Sequence, residues 1–179
     1  MKKNSKKKNL FNITKHGLIS GLYFNSIFST IHSLIDTSHK VRVLDFGCGY
    51  GYFKKKLLNN KKIKVINFDI VKELTEIDNW KKEKFDYFIA TQVFVYFKKK
   101  KLNKLLLDLK KKQNIRVIIT ISKQGFLNKL GAFILNEPEA HTNFNLTPSE
   151  EIQAFTKHMK ILKRKSVFFL ADVYLLEFR

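Results

Sequence analysis

The sequence has little cysteine and no long uninterrupted hydrophobic run. Its single cysteine, Cys48, excludes an intramolecular disulfide framework and fits a reducing compartment. No segment reaches the roughly 18 to 20 continuous apolar residues that a membrane span requires. The lysines of residues 2–8 imitate the start of a signal peptide, but no small-residue cleavage site follows them. We therefore expect a cytoplasmic location and no transmembrane segment.

Acidic residues and arginine are also scarce. The chain has 15 acidic residues against 35 basic ones, a formal net charge of +20, and only four of the basic residues are arginine. Such a charge is typical of proteins that bind nucleic acids or anionic membranes, but nucleic-acid readers usually exploit the planar arginine fork. An excess of Lys, Asn, Ile and Phe also arises from codon bias toward A and T. A nucleic-acid partner is therefore possible but not favoured.

Several kinds of active site are missing from the sequence. It has no Cys/His spacing typical of a metal site, no phosphate-binding P-loop and no nucleophile elbow. What remains is a globular composition, with 44% hydrophobic residues and 17 phenylalanines. We expect a flexible lysine-rich tail over residues 1–9, a single domain over residues 10–179 and no metal site.

A glycine-rich stretch at residues 41–51 organises the rest of the chain. It starts as an apolar, β-branched run typical of a buried parallel strand, and glycines then occupy positions 47, 49 and 51. Helical spacing of apolar residues follows, to about Leu58. A strand, a glycine turn and a helix in this order place backbone N–H groups at the carboxyl edge of a sheet, where a nucleotide-like ligand binds. A tight turn without a ligand is the alternative.

The spacing of the glycines distinguishes between ligands. The dinucleotide pattern Gly-x-Gly-x-x-Gly fails because Tyr52 stands where its third glycine belongs. Residues 44–51 read Leu-Asp-Phe-Gly-Cys-Gly-Tyr-Gly, which resembles the first motif of the class I S-adenosylmethionine-dependent methyltransferases, in particular the small-molecule, type 11-like domain. The resemblance implies S-adenosylmethionine as the cofactor. It also implies cofactor contacts from the motif residues Asp45, Phe46, Gly47, Cys48, Gly49 and Gly51.

The resemblance also implies a fold. These methyltransferases are α/β proteins with a Rossmann-like, doubly wound and mostly parallel sheet, helices on both faces and a C-terminal antiparallel hairpin. Outside the motif, the hydrophobic pattern predicts helices over residues 16–36, 102–109 and 147–158, and strands over residues 63–68, 115–121, 161–169 and 172–178. The first helix would cover the ligand pocket. The last two strands, joined by Leu170 and Ala171, predict the hairpin.

The second strand ends in Asp69. Nucleotide-binding α/β folds hold ribose hydroxyls with an acidic residue at this place, because a carboxylate can accept two hydrogen bonds at once. Asp69 lies 24 residues after Asp45, close to the separation expected for that role. We predict that Asp69 and the neighbouring Ile70 contact the cofactor. An aspartate that merely ends a strand is the alternative.

The next stretch departs from the family. Only 15 residues, 70–84, separate Asp69 from Phe85, where a helix and a third strand usually both fit. We predict a short third strand over residues 72–77. The family often places an acidic residue after this strand to bond the adenine amino group. Asp78 is the candidate for that contact here, with Trp80 beside the ring.

Residues 85–96 resemble the fourth strand of the family and its exit. The resemblance places Thr91 and Gln92 against the cofactor and Tyr96, a candidate catalytic residue, near the transferring methyl group. The Asn-Pro-Pro-Tyr type of motif that serves exocyclic base amines is absent at this exit. This absence lowers the odds of a DNA base as the acceptor.

Substrate recognition is expected after the fifth strand. An apolar segment over residues 125–135 could form a lid, contact a lipid-like substrate or pack against the first helix. His141 follows it and is the candidate general base, because an imidazole titrates near neutrality. A structural or solvent-facing loop histidine is the alternative.

Most lysine clusters come just before a predicted strand and would line the amino edge of the sheet, whereas ligands bind outside its carboxyl edge. A polynucleotide substrate needs a basic track into the pocket, and only the lysines at 98–101 offer one. We therefore expect methyl transfer to a small-molecule or lipid-like acceptor. An RNA methyltransferase and a non-catalytic cofactor-binding or interaction protein of the same fold are the alternatives. The sequence does not predict the oligomeric state.

Overall fold

The computed structural model describes residues 18–112, 114–123 and 145–179. The helices in these ranges are α1 (Leu18–His32), α2 (Tyr52–Lys56), α3 (Lys99–Lys110) and α4 (Pro148–Thr156). The strands are β1 (Val41–Phe46), β2 (Ile63–Phe68), β3 (Tyr87–Thr91), β4 (Arg116–Ser122), β5 (Met159–Val167) and β6 (Ala171–Phe178). Short 3₁₀ turns at Trp80–Lys82 and Phe94–Tyr96 precede and follow β3. The tail predicted at residues 1–9 and the apolar segment predicted at residues 125–135 lie outside the described residues.

The six strands form one sheet in the order β2-β1-β3-β4-β6-β5. The strands β2, β1, β3 and β4 are parallel, whereas β6 runs antiparallel to both β4 and β5. The carboxyl ends of the four parallel strands therefore lie along one edge, and the strand order reverses between β1 and β3. The Rossmann-like, mostly parallel α/β fold with a C-terminal hairpin is confirmed.

The central strands contribute side chains to two hydrophobic clusters, one on each face of the sheet. In β1, Val41 and Val43 join the cluster that contains residues of α1 and α2, whereas Leu44 and Phe46 join the one that contains residues of α3 and α4. This alternation follows from the two-residue period of a strand. Asp45 shares the face of Val43, and so of α1 and α2, by the same period. The helices on both faces bury the sheet and leave its carboxyl edge for a site.

The start of α4 illustrates how local sequence sets an element. The Thr147 hydroxyl accepts a hydrogen bond from the Glu150 N–H (3.2 Å), and the Glu150 carboxylate accepts one from the Thr147 N–H (2.9 Å). Together with Pro148 in the first turn, this reciprocal pair stabilises the helix start at the predicted position. None of the helices in the described parts of the chain is long and apolar enough to cross a bilayer.

The third strand predicted over residues 72–77 is wrong. These residues form turns, which leaves β2 at the edge of the sheet. Glu76 takes over part of the missing pairing, because its N–H donates to the Asn67 carbonyl (3.0 Å) and its carboxylate accepts from the Asn67 N–H (3.2 Å). The connection is too short for a helix and a strand. Glu76 alone therefore forms hydrogen bonds with the edge of β2, where a neighbouring strand would otherwise pair.

The hairpin turn lies earlier in the chain than predicted. Val167 pairs with Ala171, and the Leu170 N–H donates to the Val167 carbonyl (2.9 Å). Phe168 and Phe169, which were expected to end a strand, therefore occupy the turn. Phenylalanine favours strands by propensity, but β6 is buried on both faces, and its alternate side chains fit different hydrophobic clusters, so packing sets the register and leaves Phe168 and Phe169 in the turn.

Candidate functional site

The chain between β1 and α2 folds into a turn that favours glycine. Gly47, Gly49 and Gly51 have positive φ angles of 75°, 52° and 67°. A Cβ atom at Gly47 would lie 2.5 Å from the Val93 side chain, and one at Gly51 would lie 2.6 Å from the Asn67 amide. A Cβ atom at Gly49 would meet nothing within 4 Å. The turn is therefore packed at both ends and open at its centre, where a ligand has access to the backbone.

The end of β2 holds this turn in place. The Phe68 carbonyl accepts a hydrogen bond from the Gly47 N–H (2.8 Å). One carboxylate oxygen of Asp69 accepts from the Gly49 N–H (3.0 Å), and the other accepts from the Val71 N–H (3.0 Å). Each of these oxygens keeps a second lone pair. Asp69 is thus fixed beside the open centre of the turn and can still accept hydrogen bonds from the hydroxyl groups of a ligand.

Asp45 is a buried carboxyl group at the end of β1. Burial and the nearby charge of Asp69 raise its pKa to about 7, and neither a hydrogen bond nor a cation among the described residues opposes this shift. Burial, Asp45 and Asp69 also raise the pKa of the Cys48 thiol. Cys48 is therefore a small protonated side chain in the turn and not a reactive thiolate. The result is an electronegative site in a strongly basic protein.

A second group of polar side chains lies where β3 and β4 end. Gln92 follows β3 with a φ angle of 55°, which is uncommon for a residue other than glycine. Its side-chain Nε2 donates to the Tyr23 hydroxyl (2.9 Å) and to Ser122 Oγ (2.7 Å). Burial raises the pKa of Tyr23, so its hydroxyl stays protonated at neutral pH. A single amide thus connects α1 to the carboxyl ends of two neighbouring strands.

No protein-family model and no curated protein matches the sequence, but solved structures match the fold. The PH0226 protein of Pyrococcus horikoshii OT3 is 15% identical, with a TM-score of 0.68 over 99% of this chain and 100% of that one. Human N-acetylserotonin methyltransferase in complex with S-adenosylmethionine is 16% identical, with a TM-score of 0.67 over 97% of this chain and 56% of that one. Magnesium protoporphyrin IX methyltransferase from Synechocystis PCC 6803, with bound S-adenosylmethionine, is 12% identical, with a TM-score of 0.63 over 97% and 91% of the two chains.

This chain has the class I methyltransferase fold. The resemblance carried by residues 44–51 is therefore confirmed at the level of the fold. Identities this low leave the activity to the chemistry of the site. The chain spans 56% of the human enzyme and nearly all of the other two proteins.

The methyltransferase fold brings one group of the predicted site residues together at the carboxyl edge of the sheet. Asp45 and Phe46 end β1, the glycine turn follows, and Asp69 bonds to its centre. Phe46 is buried and stacks against Phe68 with ring centroids 5.3 Å apart, so its side chain belongs to the core below the turn. Thr91 ends β3, and Gln92 follows it at the same edge.

The remaining predicted residues lie in connections, in the core or outside the described residues. Ile70 and Asp78 are exposed in the connection after β2. Trp80 is buried in the core, where its ring meets those of Phe46 and Phe88 edge-on, so the expected contact between Trp80 and an adenine ring is wrong. Tyr96 is exposed on the turn after β3. His141 lies outside the described residues.

The sequence interpretation missed Ser122. It ended the fifth strand at residue 121, whereas β4 ends one residue later, and Ser122 holds the Gln92 amide. The available signal was topological, because the polar residue that ends each parallel strand faces the same edge. Tyr23 lies on α1, and its contact with Gln92 places its hydroxyl at this edge.

Proposed function

We propose that the protein binds S-adenosylmethionine and transfers its methyl group to a small-molecule or lipid-like acceptor. The observation that carries this proposal is the presence of two carboxyl groups, Asp45 and Asp69, at an open glycine turn. A dinucleotide would place its pyrophosphate at the glycine turn, next to the buried Asp45 carboxyl group. S-adenosylmethionine has no phosphate and carries positive charge on its sulfonium and amino groups. Its charge therefore complements the site, whereas that of a dinucleotide opposes it.

The residues of the turn suggest how the cofactor would be held. Asp69 has free lone pairs beside the open centre of the turn, which suit the two ribose hydroxyls. Asp45 lacks a hydrogen bond from the described residues and would attract the amino group of the methionine end. Ile70, which is 80% exposed beside Asp69, offers apolar surface to the adenine ring. Asp78, exposed in the same connection, is the proposed partner of the adenine amino group.

The ends of β3 and β4 would receive the acceptor. Bound S-adenosylmethionine supplies an electrophilic methyl group with its leaving group in place, so the residues of the chain mainly orient the acceptor and exclude water. Thr91 and Gln92 lie at this edge, and the bonds to Tyr23 and Ser122 fix the Gln92 side chain. A fixed amide limits how an acceptor can approach.

Two residues are proposed to handle hydrogen bonds and protons. Tyr96 is half exposed, but desolvation of its hydroxyl still raises the Tyr96 pKa, so the hydroxyl stays protonated and serves as a hydrogen-bond donor and not as a base. A base is needed only where the acceptor must lose a proton. His141 is the proposed base in that case.

The distribution of charge distinguishes a small-molecule or lipid-like acceptor from RNA. Exposed lysines precede β1 and β2, as at Lys40, Lys61 and Lys62, and so lie at the edge opposite the site. The site itself carries Asp45 and Asp69. The exposed lysines at 98–101 follow β3 at this edge, but at the turn itself the phosphates of an RNA strand would meet the Asp45 and Asp69 carboxyl groups. A small or lipid-like acceptor meets no such barrier, so it is preferred to RNA.

Calorimetric titration tests cofactor binding. We expect the wild type to bind S-adenosylmethionine at micromolar concentration and NADH not at all, and we expect Asp69→Ala to weaken binding by about tenfold or more because ribose contacts are lost. Asp108→Ala is a matched control, since this aspartate lies on α3, remote from the turn, and pairs with Lys81. Binding of NADH in place of S-adenosylmethionine, or equal losses in both variants, would overturn the proposal.

Methyl transfer is tested separately from binding. Protein, labelled S-adenosylmethionine and a cell extract are incubated, and the label is then followed into lipid, small-molecule and RNA fractions. Label in a lipid or small-molecule fraction that disappears with Asp69→Ala supports the proposal. Label confined to RNA would indicate an RNA methyltransferase. Tight cofactor binding without transfer would indicate a non-catalytic cofactor-binding protein of the same fold.

A further inference from the structure

The hairpin between β5 and β6 ends in two exposed phenylalanines. Phe168 and Phe169 are 58% and 85% exposed, and their φ angles are 48° and 57°. The hydrogen bond from the Leu170 N–H to the Val167 carbonyl closes the turn, as in a type I′ turn, for which Asn-Gly is the favoured pair. Two aromatic residues here lose both the burial and the backbone conformation that they prefer. Neither the turn conformation nor packing among the described residues explains them.

Basic residues surround this tip. Lys163, Arg164 and Lys165 lie on β5 just before the turn, and Lys123 lies 6.0 Å from the centre of the Phe169 ring. No acidic residue occurs between residues 152 and 171. Along the chain, the acid that follows the turn is Asp172, which is buried, held by Arg164 (2.7 Å) and Ser166, and 3.9 Å from the Lys123 Nζ. Among the residues that the structure describes, the tip therefore presents exposed apolar rings beside basic side chains.

The tip stands at the same edge of the sheet as the proposed site. Ala171, directly after the turn, pairs with Ser122, and the Lys123 N–H donates to the Leu170 carbonyl (2.9 Å). Ser122 in turn accepts the hydrogen bond from Gln92. The contacts of Ala171 and Leu170 with the end of β4, and of Ser122 with Gln92, thus connect the turn to the acceptor side of the site. A surface that binds the tip would therefore face the mouth of the pocket.

We propose that Phe168 and Phe169 dock the protein on an anionic lipid bilayer, with the surrounding lysines on the lipid headgroups. Exposed phenylalanine partitions into the boundary between headgroups and acyl chains, and lysines near an anionic surface add electrostatic attraction. The two rings occupy a convex apex, which inserts into a soft interface, whereas single-stranded nucleic acid binds in grooves lined by stacking platforms. Arg164 is already held by Asp172 and lies over the Tyr174 ring, so its guanidinium is not free for a phosphate.

This proposal extends the proposed function and rests on it for its meaning, because a docked tip would direct the site toward a lipid-like acceptor. The docking itself does not depend on the cofactor. Vesicle binding and cofactor binding can therefore succeed or fail independently, and both are measured on the same samples.

The test is co-sedimentation with phosphatidylcholine vesicles, with and without an equal part of phosphatidylglycerol. We expect the wild type to bind the anionic vesicles, less so at high salt, and to leave neutral vesicles unbound. The variant Phe168→Asn/Phe169→Gly removes both rings and installs the pair that the turn favours. It should bind about tenfold more weakly while its thermal stability is unchanged or higher, so misfolding does not explain the loss.

Two charge variants complete the experiment. Lys163→Gln/Lys165→Gln removes two charges beside the tip and should weaken vesicle binding, whereas Lys40→Gln/Lys61→Gln removes two from the opposite edge and should not. Undiminished binding by Phe168→Asn/Phe169→Gly, or equal losses in the two lysine variants, would reduce the effect to the net charge and overturn the proposal. An RNA oligonucleotide whose binding is lost with the phenylalanines while vesicle binding is absent would assign the tip to nucleic acid instead.

Discussion

Asp45 makes the charge of the site depend on pH. Its pKa of about 7 means that the carboxyl group is neutral in mild acid and ionised in mild base. A cationic ligand is attracted only by the ionised form. We therefore expect the affinity for S-adenosylmethionine, measured by calorimetry, to rise about fivefold to tenfold between about pH 6 and pH 8.

The same group has the opposite effect on the stability of the ligand-free protein. The folded pKa of Asp45 is raised above its unfolded value of about 3.9, so its stabilising contribution is complete below that value and is lost as the pH rises through about 7. Asp45→Asn should therefore bind the cofactor weakly at every pH. In the ligand-free state at pH 8, the free energy of unfolding of Asp45→Asn should exceed that of the wild type by on the order of 2 kcal/mol.

Asp69 supplies the control for this pair of effects. Its charge raises the pKa of Asp45, so Asp69→Ala should move the remaining pH dependence of binding toward lower pH. A pH dependence that persists unchanged in Asp45→Asn would show that another group titrates, and the role given to Asp45 would be wrong.

At the scale of elements, the glycine turn depends on a side chain far away in sequence. Gly47 combines a φ angle of 75° with a space that Val93 fills, since an added Cβ would lie 2.5 Å from a methyl carbon of Val93. Gly47→Ala should lower the free energy of unfolding by about 2 to 3 kcal/mol, partly through backbone strain and partly through overpacking. Urea denaturation measures this loss.

Val93→Ala separates the two parts of this loss. In the wild type the substitution should destabilise by creating a cavity. Combined with Gly47→Ala it should instead restore part of the stability, because the contact with the new methyl group disappears while the strained φ remains. Strictly additive losses in the double variant would show that the Val93 methyl group does not restrict Gly47.

The connection between β2 and β3 shows why a strand could be predicted wrongly. Residues 72–77 were interpreted from the family pattern and from the need to fill a place in the sheet. Their position depends instead on the length of chain available and on Glu76, which bonds both backbone groups of Asn67. A side chain that replaces a strand leaves no periodic signal in the sequence.

For the whole molecule, the net charge of +20 predicts a response to salt. Lysines outnumber the acids available to pair with them, so repulsion exceeds attraction when screening is weak. We expect the melting temperature to rise by about 3 to 6 °C between about 0.01 M and 0.15 M sodium chloride. Lys40→Gln/Lys61→Gln should show a smaller rise, and a melting temperature that falls with salt would mean that the ion pairs dominate.

The sequence by itself determined the features that depend on neighbours along the chain. The apolar run into Asp45, the glycines at 47, 49 and 51, the Thr147 capping box and the alternation of β1 all carry their own local cause. The methyltransferase fold follows from this local pattern and the order of the elements, which is why it could be predicted. The cofactor contacts inferred from the same motif remain predictions.

Only the tertiary structure decided the features that join distant parts of the chain. The bonds of Gln92 to Tyr23 and Ser122, the burial of Trp80 under Phe46, and the turn at Phe168 and Phe169 depend on packing and register. Aromatic residues and an amide have the same local propensities in a core, a site or a turn. Their surroundings are set by residues tens of positions away, and a single sequence does not state those contacts.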